Sequence, residues 1–178
     1  MPANPFGPSL STKLTIRPYC EADQQSLWQV LEPVFRAGDT YTVSPDISKK
    51  AAIDYWTIGK TAVFVVQDPV AKLLGTYFLK TNQGGGGSHV CNCGFVTAAP
   101  VSGKGIARMM LTHAISTATD AGYRAMQFNF VVAGNTRAIA TWERAGFETV
   151  GRLPDAFKHP TDGFVDALVM YKSLAVPD

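Results

Sequence analysis

The sequence predicts a mixed α/β fold, in which a mostly antiparallel sheet of six or seven strands carries helices on both faces. Apolar runs with a period of two alternate with helical runs in the order β-α-α-β-β-β-α-β-α-β-β. A glycine-rich turn, Val101–Ala107, joins one strand-like run to an amphipathic helical run. The 178 residues suffice for one domain with a substantial core.

Composition indicates an ordinary globular chain, with 46% hydrophobic and 17% charged residues. The formal net charge of +2 gives no electrostatic argument for a nucleic-acid partner. No apolar run approaches the roughly 18 residues of a membrane span, and three cysteines cannot all pair, which favours the cytoplasm. Residues 1–11 lack the features of a signal peptide and are predicted to be a disordered arm, before a single domain at 12–178.

Alternating and helical spacings define the elements of the first half. Ser48 is placed as an N-cap, and Pro33 is expected to kink or break its helix. The turn Asp68–Lys72 predicts a hairpin between its flanking strands. The predicted elements are, in order, strand Leu14–Arg17, helix Cys20–Ala37, helix Ser48–Gly59, and strands Ala62–Gln67 and Leu73–Thr81.

In the second half, small alanines on one stripe allow a helix to lie close to the sheet, and Gly122 ends it. Asn82–Ser88 is predicted to be a flexible loop between strands. The predicted elements are strand His89–Thr97, helix Lys104–Ala121, strand Ala125–Val132, helix Asn135–Ala145, strand Phe147–Arg152, loop Leu153–Asp162 and strand Phe164–Lys172.

The turn Val101–Ala107 has the chemistry of a diphosphate site. A Gly-x-Gly-x-Ala turn that opens a helix leaves backbone N–H groups bare, and the positive end of the helix dipole lies beside them. The run Gly84–Gly87 is no phosphate loop, because no Gly-Lys-Ser/Thr follows it. A lone Gly-x-Gly is weak evidence for a diphosphate site. A second motif further along the chain strengthens the prediction.

That second motif is Asn135-Thr-Arg-Ala138…Trp142…Gly146-Phe147. With the turn, written Ser102-Gly-Lys-Gly-Ile-Ala107, it resembles the GCN5-related N-acetyltransferase (GNAT) superfamily over residues 12–174. The resemblance implies splayed parallel strands at the sheet centre, acetyl-CoA as coenzyme and direct acetyl transfer in a ternary complex; the family also suggests a homodimer. It implies coenzyme contacts at Phe95, Val96, Thr97, Ser102, Gly103, Lys104, Gly105, Ile106, Ala107, Asn135, Ala138 and Trp142.

A narrower resemblance is to the yeast-type N-acetyltransferases of proline analogues such as azetidine-2-carboxylate. It implies that Asn92 and Asn129, with the backbone at Phe130, bind the substrate carboxylate, and that Asn135 is catalytic on the acetyl-CoA side. A chain without paired carboxylates in its motifs suits an α-amine better than a lysine, whose pKa of about 10.4 needs more help. The expected partners are therefore a small amino or imino acid and coenzyme A, with no metal, nucleic acid or membrane.

Two departures from the family pattern leave the chemistry open. Ser102 stands where the family has Gln or Arg, and Trp142 stands where a tyrosine often protonates the departing thiolate. An indole cannot donate that proton, so the general acid is unassigned, and Tyr41, Tyr77 and Tyr171 are the replacements to consider.

The three candidate asparagines also have purely structural interpretations. Asn135 serves equally well as an N-cap alone, and Asn92 and Asn129 as hydrogen-bonded core amides. The alternative functions are acetylation of an antibiotic-like amine or a protein N-terminus, and a non-catalytic acyl-CoA-binding regulatory module.

Overall fold

The computed structural model describes residues 14–174, so the predicted arm at 1–11 lies outside the described residues. Alternating apolar residues form the strands, and amphipathic runs form the helices. The strands are β1 Thr15–Pro18, β2 Ala62–Gln67, β3 Leu73–Thr81, β4 Val90–Thr97, β5 Ala125–Val132, β6 Glu148–His159 and β7 Gly163–Ser173. The helices are α1 Gln24–Ala37, α2 Lys49–Thr57, α3 Ile106–Asp120 and α4 Thr136–Arg144.

The described strands form one seven-stranded sheet in the order β1-β2-β3-β4-β5-β7-β6. Within it β4 and β5 are parallel, and the other neighbouring pairs are antiparallel. This arrangement confirms the predicted fold class. None of the helices in the described part of the chain combines the length and the hydrophobicity that crossing a membrane requires.

Each face of the sheet has its own buried core. One core packs α1 and α2 against the sheet and contains Leu27, Trp56 and Phe78. The other packs α3 and α4 against the opposite face and contains Met110 and Trp142. Helices therefore cover both faces, as predicted, and the sheet separates the two cores.

Two predicted elements differ from the structure. Helix α1 continues past Pro33 to Ala37; because Pro33 is exposed, water can bond to the carbonyl that loses its helical partner. The predicted loop Leu153–Asp162 is mostly strand, since β6 runs on to His159. Pro154 is compatible with β6 because this is an edge strand with a register shift between Leu153 and Phe157.

Candidate active site

The site is built around a gap between the two central parallel strands. Hydrogen-bonded pairing of β4 with β5 is confined to Val90–Ala125 and Cys91–Met126, after which the strands diverge. Beyond that point, β4 stays paired with β3 as far as Thr97. One edge of β4 therefore faces an open space rather than a neighbouring strand.

Backbone groups of β4 point into this gap. Ala98 N–H donates to β3 at Leu74, and Val90 C=O accepts from Asn82 on the same side. Because groups alternate along a strand, those of Cys93, Phe95 and Thr97 face the gap. The Tyr41 hydroxyl donates to the Phe95 carbonyl at 3.0 Å, which confirms this direction.

The glycine turn lies where β4 leads into α3. Gly103 and Gly105 have φ of +80° and +82°, which favour glycine, and an added Cβ at either would have no atom within 4 Å. Among the described residues, the N–H groups of Gly103, Gly105, Ile106 and Ala107 donate to no acceptor. These four donors, at the positive end of a 15-residue helix, form an open anion cradle.

Helix α4 connects this cradle to the gap. Asn135 is its N-cap, and Asn135 Oδ1 accepts from Ala138 N–H at 3.3 Å, so the predicted capping role is confirmed. Two residues after Asn135 along the chain, Arg137 Nη1 donates to Ser102 Oγ at 2.7 Å. The Arg137 guanidinium therefore lies beside the cradle and adds a positive charge to it, a contact that the sequence motif did not predict.

A cavity of about 300 Å³ opens between β4 and β5. Aromatic rings form one wall: the Trp142 centroid lies 5.2 Å from that of Phe95 and 5.1 Å from that of Phe128. The cavity is lined by Thr40, Tyr41, Thr42, Tyr55, Phe78, Lys80, Asn92, Cys93, Gly94, Phe95, Phe128, Asn129, Phe130, Val131, Val132, Asn135, Ala138 and Trp142. It therefore brings residues of both sheet faces to one place.

The two predicted substrate asparagines line this cavity in different ways. Asn92 is buried, and its Nδ2 donates to the Gln127 carbonyl at 2.8 Å. Asn129 is exposed; its Oδ1 accepts from Gln127 Nε2 at 2.9 Å, and its Nδ2 donates to Asn82 Oδ1 at 2.7 Å. Among residues 14–174, therefore, the Asn92 carbonyl oxygen has no donor and one N–H of Asn129 has no acceptor, so both are available to a ligand.

The electrostatic character of the cavity is positive. Of the described residues that line it, Lys80 alone carries a charge, and none is Asp, Glu or His. Cys93 lines it as well, but burial raises the pKa of its thiol, which keeps the sulfur protonated and weakly nucleophilic. The cavity thus suits a ligand with a negative group better than a polycationic one.

Comparison with known proteins places the chain in a family. The model of the acetyltransferase (GNAT) family matches residues 25–147, more than half of the chain. The chain belongs to the GNAT family of acetyltransferases.

Similar proteins support this membership. The chain is 33% identical to a GCN5-related N-acetyltransferase from Kribbella flavida, with a TM-score of 0.85 and coverage of 90% of this chain and 97% of that one. It is 36% identical over 98 residues to N-acetyltransferase aca1 of Schizosaccharomyces pombe, covering 54% of this chain and 47% of that protein. The chain thus spans about half the length of this curated relative.

A phosphinothricin acetyltransferase from Sinorhizobium meliloti, solved in complex with AcCoA, shares the fold with a TM-score of 0.80 at 19% identity, covering 91% of this chain and 89% of that one. GNAT acetyltransferases use acetyl-CoA. The bare N–H groups and open space at Gly103 and Gly105 fit the diphosphate of that coenzyme, and the unpaired edge of β4 fits its amide-bearing arm.

All but two of the predicted GNAT site residues fall into two groups. Asn92, Phe95, Asn129, Phe130, Asn135, Ala138 and Trp142 line the cavity. Ser102–Ala107 form the cradle outside it, linked to it through Arg137. Val96 is 2% exposed and packs into the core beneath α1 and α2, and its backbone groups face β3 rather than the gap. Thr97 lies outside both groups, but its backbone groups face the gap.

Of the three tyrosines considered as replacement acids, Tyr41 lines the cavity. Burial raises its pKa, so the hydroxyl stays protonated. The Tyr77 hydroxyl instead bonds to His113 Nδ1 at 2.6 Å, against α3, and Tyr171 lies on β7. Sequence analysis gave no role to Lys80 or Arg137, although alternation on β3 already places Phe78 and Lys80 on one face.

Proposed function

We propose that this chain is an acetyl-CoA-dependent N-acetyltransferase that acts on a small amino or imino acid by direct transfer in a ternary complex. Acetyl-CoA supplies an activated acetyl thioester. The N–H groups of the glycine turn hold its diphosphate, with Arg137 and Lys104 nearby. The Ser102 N–H already donates to the Ala99 carbonyl, but its hydroxyl, which accepts from Arg137, can still donate its own proton to a phosphate oxygen.

Direct transfer follows from the groups that line the cavity. An acyl-enzyme needs an activated nucleophile, usually a hydroxyl or thiol beside a base. The described lining contains no His, Asp or Glu, and burial keeps the Cys93 thiol protonated. The catalytic contribution of the chain is therefore positioning of the two reactants, with Asn135 and Trp142 on the coenzyme side.

The amine must lose a proton without a side-chain base. The resemblance implied that Asn92 binds the carboxylate, but its Nδ2 donates to the Gln127 carbonyl, so we place Asn92 on the amine instead. Its Oδ1 accepts a hydrogen bond from the amine and orients the amine lone pair. Asn129 Nδ2 and the backbone at Phe130 donate to the carboxylate, which an α-amino acid carries on the same carbon as the amine. Tyr41 keeps the Phe95 carbonyl bonded, which holds β4 in place at the mouth of the cavity.

We infer the substrate class from the composition of the cavity. Its described lining contains one cation, three asparagine amides and no carboxylate. A polycationic antibiotic would find no acidic partner there. A volume of about 300 Å³ suits a molecule of amino-acid size rather than a folded protein N-terminus. Proline analogues such as azetidine-2-carboxylate fit these limits.

The test is release of coenzyme A thiol from acetyl-CoA with a panel of amines. The panel contains L-proline, azetidine-2-carboxylate, linear amino acids, an aminoglycoside and a peptide with a free N-terminus. We expect release with the small amino or imino acids and little with the last two. Release with the aminoglycoside or the peptide alone would overturn the substrate class. Coenzyme binding with no release by any amine would identify a regulatory module.

A further inference from the structure

Lys80 occupies a distinctive place in the cavity. It follows Phe78 by two residues on β3, so both side chains lie on the α1 and α2 face, and it pairs across the strands with Asn92. The Lys80 side chain is half-buried and lines the cavity. Within residues 14–174 it makes no salt bridge. A positive charge thus lies beside Asn92 without a protein counter-ion.

A second cation, Lys60, lies behind the first. Its Nζ is 5.0 Å from the ring centroid of Phe78 and 5.6 Å from that of Tyr55, and both rings line the cavity. Burial and then the charge of Lys80 lower the pKa of Lys60, so the protein environment disfavours this pair of charges. An anion bound at Lys80 would relieve that repulsion.

We propose that Lys80, with Lys60 behind it, binds the carboxylate of the acceptor and so determines specificity for amino acids over other amines. The inference rests on the proposed function and extends it by naming the group that recognises the acid. Asn92 and Lys80 are neighbours on adjacent strands. An α-amino acid carries its amine and carboxylate on one carbon, which matches an amine acceptor and a cation placed side by side.

Lys80 also promotes the reaction itself. The carboxylate of a free amino acid raises the pKa of its own amine, because the negative charge stabilises the ammonium. Pairing that carboxylate with Lys80 cancels much of this effect, so a larger fraction of the bound amine is neutral. A positive cavity thereby compensates for the absence, among the described lining residues, of a side-chain base.

The experiment compares Lys80→Met, Lys80→Arg and the control Lys72→Met, which changes an exposed lysine in the turn at the other end of the β2–β3 hairpin. Each variant is assayed with azetidine-2-carboxylate and with its carboxamide. In Lys80→Met we expect kcat/KM for the acid to fall about 10- to 100-fold, the range that loss of one close charge pair gives. The carboxamide and the KM for acetyl-CoA should change less than about threefold, and Lys80→Arg should recover part of the loss.

The pH profile of kcat distinguishes a functional role of Lys80 from a structural one, because a purely structural role would leave the profile unchanged. With the acid as substrate, the rising limb of kcat should shift to higher pH in Lys80→Met, because the amine loses a neighbouring positive charge; in Lys72→Met it should stay where it is. Equal losses for both substrates, or no loss for the acid, would overturn the inference while leaving N-acetyltransferase activity in place.

Calorimetry separates this inference from the proposed function. The wild-type chain and Lys80→Met are titrated with azetidine-2-carboxylate in the presence of coenzyme A, without turnover. Binding that is lost in Lys80→Met supports the carboxylate site even if a different amine proves to be the substrate. Absence of binding to the wild-type chain, or equal binding to both proteins, would overturn it. Matching thermal unfolding midpoints establish that the variants are folded.

Discussion

Asn92 Nδ2 donates to the backbone carbonyl of Gln127 at 2.8 Å, one residue beyond the last paired residues of β4 and β5. The side chain thus takes the place of the next hydrogen bond between the strands. Because a carbonyl can only accept, this bond also fixes the amide: Nδ2 faces Gln127, and Oδ1 is left for the cavity. One residue therefore closes the apex of the gap and supplies an acceptor to the site.

Replacing Asn92 with Ala should affect both roles. We expect the free energy of unfolding to fall by about 1 kcal/mol, since the Gln127 carbonyl loses its partner. The KM for the amine should rise about tenfold, which corresponds to about 1.4 kcal/mol of binding, with little change in the KM for acetyl-CoA. Urea unfolding and steady-state kinetics measure the two effects separately. Lost stability with unchanged amine kinetics would leave Asn92 a structural role only.

Asn129→Ala should raise the KM for the amine by about tenfold and far more than the KM for acetyl-CoA, because it removes an exposed N–H that faces the substrate end of the cavity. Gln127→Ala is the matched control. It removes only the donor to Asn129 Oδ1, so the same effect should appear in weaker form. Equal changes in both KM values for Asn129→Ala would remove the substrate assignment.

Gly105→Ala tests the cradle, and Gly122→Ala at the other end of α3 provides a close control. The two glycines have φ of +82° and +83°, and an added Cβ at either has no atom within 4 Å. Each substitution should therefore cost about 1 kcal/mol of stability from the left-handed backbone. Only Gly105→Ala should weaken acetyl-CoA binding, which titration calorimetry measures. Similar coenzyme affinities in the two variants would count against the cradle.

Asn135 requires a pair of variants, because it caps α4 and also lines the cavity. Asn135→Ala should lose about 1 kcal/mol of stability, whereas Asn135→Ser keeps a capping oxygen and should lose much less. We expect kcat/KM to fall in both variants, since the serine hydroxyl does not replace the amide. Full activity in Asn135→Ser would mean that Asn135 acts through the cap alone.

The ion pair between Arg17 and Asp23, which ties β1 to the start of α1, predicts an acid-sensitive part of the stability. Hydrogen bonds from Arg17 lower the pKa of Asp23 from 3.8 to about 2. Because its pKa is lowered in the folded state, ionised Asp23 stabilises the fold at pH values above the pKa that it has in the unfolded chain. This stabilisation is lost as the pH falls from about 4 to about 2.

Asp23→Asn should therefore lose about 2 kcal/mol at pH 7, where wild-type Asp23 is charged and nearly fully buried. The two proteins should converge in stability near pH 2. Urea unfolding across this range tests the expectation, and a constant difference between the two curves would contradict it.

Much of the fold was predictable because its signals are local. Gly105 and Gly122 bound α3 through their own backbone preferences, and Ser48 accepts from Ala51 N–H as an N-cap should. The extension of β6 was not predictable in this way. Pro154 indicates a loop when the sequence is considered alone, and only the position of β6 at the edge of the sheet makes a strand acceptable there.

The parts of the site that belong to a sequence motif were predictable. The parts that form where distant segments of the chain meet were not. The turn Ser102–Ala107 and Asn135 stand in recognisable spacings. Tyr41 comes from the segment between α1 and α2, and its contact with Phe95 spans 54 residues of chain. In the sequence, nothing distinguishes Lys80 from other strand residues. Only the pairing of β3 with β4 places Asn92 beside it. Such contacts depend on strand order and register, which periodicity does not specify.

The central claim is that the free backbone N–H groups of Gly103, Gly105, Ile106 and Ala107 hold the diphosphate of the coenzyme. The most direct test is to titrate the wild-type chain with acetyl-CoA and with acetyl-pantetheine, which has the same thioester arm but no diphosphate. We predict that acetyl-CoA binds at least about 100-fold more tightly, a difference of about 2.7 kcal/mol. Equal affinity for the two compounds, or no binding of acetyl-CoA, would contradict the account.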